Sequence, residues 1–326
     1  MYMRGTPLGA GEVALPDLAI SRLRLSFARP RDYQQRRYLG SAWRGVLGHA
    51  LKKLVCIARC ERCEDCIIYR SCVYTYVFET PLPESAGKLR LYKTVPHPFV
   101  LAPPWPGEQL EIGDTELELT LFGRGNQYIA YVVCALKEAA QKGLRGLGSL
   151  ALESVAQEDL SAPGTWLSIY DETRLSPLPP ATPHAPPLPA SVRIRLLTPL
   201  RLRHQERYVG PEEFTFADLF SSLLRRISSL TYFHTERPLE TDFAGLKAAA
   251  RQVSIEQPDL RWCDWTRYSS RQAEELQMGG LMGAFTVNLG EQPELWPFIW
   301  LGQWTHAGKG TSMGLGRYVV ETPGRS

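Results

Sequence analysis

Three segments hold residue types and spacings that could do chemistry. The first is Cys56-x3-Cys60-x2-Cys63-x2-Cys66-x5-Cys72, which crowds five of the seven cysteines into one short stretch. Four thiolates close a tetrahedral zinc site, and pairs two residues apart such as Cys63 and Cys66 are the usual knuckle. A four-cysteine iron–sulfur cluster satisfies the same spacing. Five thiols exceed four ligand positions, so one is spare. No mixture of histidine and carboxylate accompanies them, which makes the expected metal structural rather than catalytic.

The second segment is Gly308-Lys309-Gly310-Thr311-Ser312-Met313-Gly314-Leu315-Gly316-Arg317. Glycines at this density let backbone approach a ligand closely and turn N–H groups towards an anion. Lys309 and Arg317 add charge, and Thr311 and Ser312 add donors. The run is not a Walker loop, because no Gly-Lys-Ser/Thr triplet opens a helix after a strand. The bland alternative is a tight turn from helix to strand.

The third is a set of arginines. Arg193 and Arg195 share one strand face, opposite Val192, Ile194 and Leu196. Arg267 and Arg271 lie beside Tyr268 in a later segment. Arginine with tyrosine suits single-stranded or hairpin RNA, where phosphates and exposed bases are both available. Arginine outnumbers lysine 29 to 8 across the chain, a bias that favours planar, bidentate phosphate contacts and that a GC-rich genome also produces. Of the six histidines, His49 sits on the polar side of a helical stripe with Lys52 and Lys53 one turn on, and His306 ends a helix just before the glycine-rich loop. His97 and His184 lie beside prolines, and His204 follows the arginine strand.

The elements that must position these groups divide into two halves. Leu175–Ala190 has seven prolines in sixteen residues, an extended connector of up to ~50 Å at roughly 3.1 Å per residue. The first half reads as a strand over 20–27, a helix over 39–54, strands near 74–79, 99–102 and 115–122, a helix over 127–142 and a strand over 149–156. The second reads as a strand over 191–203, a helix over 216–231, strands near 261–269 and 281–289, a helix over 294–305 and a strand over 317–321. Each half is thus β-α-β-β-α-β, and Gly146-Leu147-Gly148 and Gly314-Leu315-Gly316 precede the two last strands. The expectation is an α+β protein of tandem ferredoxin-like (RRM-like) domains: 1–174 with a Cys-rich metal-binding insertion at 56–72, a linker at 175–190, and 191–326 with the loop 308–316. With 326 residues, 44% of them hydrophobic, the chain is long and apolar enough for two cores. A net charge of +3 decides nothing alone. No apolar run approaches a membrane span, and no signal peptide is visible, so a cytoplasmic protein without a membrane partner is expected.

Trp304 to Tyr318 resembles the signature loop of CRISPR-associated precursor-crRNA-processing endoribonucleases of the repeat-associated RAMP superfamily. The block Asp264–Gly283 (DWTRYSSRQAEELQMGGLMG), the run Arg44-Gly45-Val46-Leu47-Gly48, and Cys56, Cys63, Cys66 and Cys72 are similar to one subgroup. Cys60 departs from its pattern. The resemblance implies two ferredoxin-like domains, a glycine-rich loop beside repeat RNA, and cleavage without metal. In that chemistry a 2′-hydroxyl attacks the adjacent phosphate, leaving a 2′,3′-cyclic phosphate and a 5′-hydroxyl. It also implies catalysis by His306 and His49, and its subgroup's cysteines correspond to Cys56, Cys63, Cys66 and Cys72. The residue types themselves lead us to expect RNA contacts from the loop (Gly308, Lys309, Gly310, Thr311, Ser312, Gly314, Gly316, Arg317) with Arg193, Arg195, Arg267 and Arg271, and a structural metal, zinc, on those four cysteines. The expected partners are CRISPR repeat RNA and crRNA, with other effector-complex subunits. Two other readings are a non-catalytic crRNA-binding subunit of such a complex and an iron–sulfur redox protein.

Overall fold

The computed structural model describes residues 16–28, 37–82, 95–106, 116–144, 148–204, 207–269 and 274–321. Alternation along β1 (Ile20–Ala28) buries Leu23, Leu25 and Phe27 and leaves Arg22 and Arg24 on the other face. α1 (Gly40–Val55) follows, burying Trp43, Leu47, Ala50 and Leu51. After the cysteine lobe come α2 (Val73–Phe78), β2 (Phe99–Ala102), β3 (Glu116–Phe122), α3 (Ile129–Lys142), β4 (Ala151–Asp159) and β5 (Thr165–Ser168). The strands make one antiparallel sheet in the order β2-β3-β1-β4-β5.

The second half repeats the plan with β6 (Val192–Leu200), the small ribbon of β7 (Arg203–His204) and β8 (Arg207–Tyr208), α4 (Phe216–His234), α5 (Phe243–Ala250), β9 (Ile255–Ser269), β10 (Glu274–Val287), α6 (Trp296–Thr305) and β11 (Tyr318–Glu321). Its sheet runs β11-β6-β10-β9, also antiparallel. α4 starts where it does because Thr215 and Asp218 form a reciprocal capping box. In each half the first strand of the unit lies between the last and the third. That order, with helices on one face of each sheet, is the ferredoxin-like arrangement.

Two large apolar cores result, one per sheet, beside a small third cluster of Tyr38, Met278 and Leu315. They are not independent, because Leu18, Ile20, Val100, Ala102 and Phe122 from the first half belong to the core of the second. The proline-rich segment is pinned rather than free. Ala181 exchanges two backbone hydrogen bonds with Ile20 (2.9 and 3.1 Å), Leu178 is held by Gln157 at 2.9 Å, and Pro186 accepts from Trp296 Nε1 at 2.7 Å.

The strand expected near 74–79 is instead the helix α2. The aromatic and β-branched run there looks like a strand by propensity, but Tyr74 and Phe78 stack four residues apart at 5.6 Å, a helical pairing. Thr75 Oγ1 also donates to the Cys72 carbonyl at 2.9 Å, closing the first turn. β5 and α5 were not expected, and the hairpin β9–β10 is longer than its alternation suggests. Gly146 and Leu147, part of the first of the two matched glycine turns, lie outside the described residues.

Candidate nucleic-acid interface

The glycine-rich loop begins where α6 ends. His306 takes φ 59°, an uncommon conformation for a non-glycine residue, and turns the chain into Gly308 (φ 78°). The loop is packed, not open. A Cβ at Gly316 would collide with the Ala307 carbonyl oxygen, and one at Gly314 with Tyr38 Oη. The N–H groups of Lys309, Gly316 and Arg317 bond to Arg201 O, Pro199 O and Thr198 Oγ1, and Gly308 donates to the Ser222 hydroxyl. Met313, Gly314 and Leu315 donate within the loop. Most of the backbone donors expected to cradle a phosphate are therefore spent inside the protein. What the loop offers outward is Lys309, which is exposed, and Ser312, which is half-buried; Thr311 is buried. Gly316→Ala should cost about 1–3 kcal/mol for the left-handed backbone alone, plus the clash, so a thermal melt should show a markedly less stable protein.

The loop also seats the first helix. Tyr38 Oη donates to the Met313 carbonyl at 2.7 Å, and a Cβ at Gly40 would collide with that same oxygen. α1 thus starts on the loop, and His49 lies on its exposed side. Its Nδ1 is 2.8 Å from the Gly45 carbonyl oxygen. A carbonyl only accepts, so Nδ1 carries the proton and Nε2 is left as a lone pair for solvent or substrate. Lys53 beside it is exposed. Lys52 is drawn away: its ammonium hydrogen-bonds Cys63, which raises its pKa, and lies 5.3 Å from the Tyr74 ring centre.

His306 is buried where His49 is exposed. It is 3% exposed, and its Nδ1 is buried without a hydrogen-bond partner. Burial first, then the positive charges of Arg317, Arg226 and Arg22, push its pKa well below the usual value, against a pull from Glu118. It is a neutral interior side chain at the start of the loop. Arg317 is committed as well, through a 2.9 Å ion pair with Glu118. Glu118 also pairs with Arg22 at 2.6 Å, and Arg22 reaches Glu158 at 3.2 Å. Burial alone would raise the Glu118 carboxyl, but Arg22, Arg317 and Arg24 outweigh it and hold it down to about 2. This lattice of arginines and glutamates ties β1, β3 and β4 to the loop exit.

Arg193 and Arg195 share a strand face as expected, 43% and 49% exposed, and both pair with Glu321 on β11 at 3.3 Å and 2.5 Å. Arg271 lies outside the described residues, as does the side chain of Arg267, whose backbone is in β9. Sequence reasoning missed Arg22, Arg24, Glu118 and Glu158 as a group. A signal was present: Arg22 and Arg24 alternate on one strand and Glu116 and Glu118 on another, the pattern of cross-strand charge pairs.

Cys56, Cys60, Cys63, Cys66 and Cys72 line a single pocket together with Lys52 and Tyr74. Cys56 ends α1 through its N–H to Lys52 O at 2.9 Å, and Cys72 begins α2. The donor chemistry suits a thiophilic metal, and the cysteines converge. Among the described residues, however, no three such groups stand ready to hold one ion, so the expected four-thiolate sphere is not assembled. Among the described residues no helix is long and apolar enough to cross a membrane.

The two ferredoxin-like units share a core, and the glycine-rich loop leads from α6 of the second into its last strand. Residues 17–182 match the family model AF_1859_N, an N-terminal domain, and residues 194–318 match that of the CRISPR-associated endoribonuclease Cas6. The first half of the chain thus belongs to the AF_1859_N family, and the second carries a domain of the Cas6 type. Among solved structures, a Cas6 product complex aligns with a TM-score of 0.54 at 19% identity, over 94% of this chain and 100% of the other. Thermus thermophilus Cas6 aligns at 0.51 with 18% identity, over 94% and 100%. A partial Cas6-RT-Cas1–Cas2 complex aligns at 0.54 with 17% identity, over 94% of this chain and 46% of that one. No curated protein matches the chain in sequence.

Proposed function

We propose that this protein cuts CRISPR repeat RNA within precursor transcripts, using His49 as the acid–base group and no metal in the chemistry. The observation that supports this most is the His49 imidazole. Its Nδ1–H is fixed on the Gly45 carbonyl, so Nε2 faces outward on the helix seated on the glycine-rich loop. Nε2 takes the proton from a ribose 2′-hydroxyl. The new 2′-oxygen–phosphorus bond forms as the bond to the 5′-oxygen breaks, and that oxygen receives a proton from an acid. The products are a 2′,3′-cyclic phosphate and a 5′-hydroxyl. Positive charge must meet the pentacoordinate phosphorus. We assign this role to Lys53 and Lys309, both exposed, because Lys52 is engaged by Cys63. His306 keeps a positioning role inside the loop base. Incubation with the cognate repeat RNA tests the proposal: one cut per repeat supports it, and binding without cutting assigns the chain to the non-catalytic crRNA-binding class.

RNA is held by Lys309, Arg193 and Arg195, with the Arg267–Arg271 segment of the long hairpin. Lys309→Ala and Arg195→Ala should each weaken repeat-RNA binding and lower the salt slope by about 0.7–0.9 for each phosphate no longer neutralised. Unchanged affinity and slope in both variants would place the RNA elsewhere.

The cysteine lobe holds one structural metal, zinc, on Cys56, Cys63, Cys66 and Cys72, with Cys60 as the fifth thiol. Such a site contributes directly to folding. Elemental analysis of protein prepared without chelator should find about one zinc per chain, and Cys66→Ser should lower stability more than it alters cleavage. Less than a tenth of an equivalent, or iron with a brown colour, counts against zinc.

A further inference from the structure

Glycine is the least favourable residue after proline for a helix interior, so a helical glycine needs a reason. Among the described residues five glycines lie in α-helices, and four of them have one. A Cβ at Gly40 would strike the Met313 carbonyl oxygen, one at Gly245 the Asp242 carboxylate, and one at Gly302 the Tyr318 hydroxyl. At Gly48 it would press on the Phe78 ring at 3.3 Å. Gly45 is different. It sits inside α1, it is exposed, its φ is not positive, and a Cβ there would meet nothing within 4 Å. Neither packing nor backbone geometry calls for glycine at this position.

What adjoins Gly45 is the side chain given the chemistry. The Gly45 carbonyl lies 2.8 Å from His49 Nδ1. A helical side chain covers the turn N-terminal to its own Cα, so the imidazole lies beside the bare backbone at this point. A methyl group on residue 45 would still stand more than 4 Å from the ring, in open space. Gly45, His49 and Lys53 follow one another at intervals of four on the exposed side of α1. Each step is about 6 Å along the axis, at 1.5 Å per residue. The acid–base nitrogen thus has uncovered backbone on one side and a lysine on the other.

We propose that a ribose–phosphate unit of the RNA strand being cut is seated on the bare backbone at Gly45, which lets its sugar approach closely enough for the 2′-hydroxyl to reach His49 Nε2. Gly45 is then a positioning residue for the cleavage step. The proposal rests on the RNA-cleaving reading above and deepens it, by assigning the surface along which the scissile strand runs.

Gly45→Ala separates stability from function. Alanine is the better helix former, so the free protein should melt higher by roughly 1–2 °C. Its methyl group should displace the sugar, and single-turnover cleavage at saturating protein should fall about 10- to 100-fold, the scale of a 1 Å misplacement. Phosphate contacts elsewhere set affinity, so the Kd for repeat RNA carrying a 2′-deoxynucleotide at the cut should stay within about threefold of wild type. Nitrogen NMR of the His49 ring should show the same Nδ1–H tautomer in the variant, which separates a displaced substrate from a displaced imidazole. A Gly45→Ala protein that melts higher and cuts at the wild-type rate would overturn the proposal. So would a lower melting temperature or a changed His49 tautomer, because either gives the glycine a structural reason. Wild-type protein that leaves its repeat RNA uncut, or His49→Ala that cuts as fast as wild type, would overturn the functional reading and this proposal with it.

Discussion

Replacing His49 by alanine should slow single-turnover cleavage by ~10²–10⁴, the usual loss for one general acid–base group, while affinity for the repeat RNA stays near wild type. The geometry supports a clean separation of rate from binding. His49 is exposed, its polar contact is with the carbonyl one turn back on its own helix, and that contact serves to fix the tautomer. Removing the ring should leave α1 intact. His306→Ala should behave in the opposite way. Its imidazole is enclosed beneath the loop, beside Arg226 and Arg317, so the expected result is a lower melting temperature with the rate per folded molecule within about tenfold of wild type, less than loss of a catalytic group. The pair of variants, compared at saturating protein, is decisive for the assignment. A His49→Ala enzyme that keeps more than a tenth of the rate, with His306→Ala reduced a hundredfold at normal stability, would exchange the two roles.

Acidification should unfold the protein well above the range in which its carboxylates titrate. His234 is buried and His97 half-buried where the two halves meet. His234 lies between Tyr76 Oη on Nδ1 (3.0 Å) and the Pro96 carbonyl on Nε2 (2.7 Å), and His97 Nε2 accepts from Arg44 at 2.9 Å. Burial first, then Arg44 on His97 and Arg124 on His234, holds both folded-state pKa values down to about 4. The unfolded chain protonates near 6.5. Between those values the unfolded state binds more protons, so stability falls as pH falls through this window and is fully present only above it. Each histidine should contribute a loss on the order of 2 kcal/mol by pH 5, and His306, shifted the same way, adds to it. Glu118, held near 2, keeps its ion pairs down to about that pH, and its contribution to stability begins to decline only below about 4.5. Denaturant melts between pH 7.5 and 5 should therefore show a steep decline that His97→Gln makes shallower. A flat profile over that range would contradict the neutral state of these rings.

Much of the fold is legible in the sequence because apolar alternation and helical stripes are local signals. β1 and α4 fall where the periodicity of Leu23, Leu25 and Phe27 and of Leu219, Leu223 and Ile227 puts them, and α1 where that of Trp43, Leu47 and Leu51 does. The 74–79 segment misleads because strand propensity and the i, i+4 pairing of Tyr74 with Phe78 point in opposite directions, and packing against α1 decides for the helix. The site is less legible, for a physical reason. Glycine density marks places where backbone comes close to something, but it does not say to what. Gly314 and Gly316 approach Tyr38 and the Ala307 carbonyl rather than open solvent. Likewise the charge of Arg317 is visible in sequence, whereas its neutralisation by Glu118, on β3 in the other half of the chain, is a tertiary fact. The contrast in burial between His306 and His49 belongs to the same class: spacing finds both positions, and only the fold shows that one of them is shut inside.

The most direct measurement for the central claim is cleavage of the cognate repeat RNA by the wild-type chain in excess EDTA, with the new 3′ terminus identified. The expected result is one cut per repeat at an undiminished rate, with a terminus that resists phosphatase until acid opens the cyclic phosphate. A reaction that stops in EDTA and resumes with a divalent cation, or a product bearing a 3′-hydroxyl, would contradict attack by the 2′-hydroxyl and with it the role given to His49.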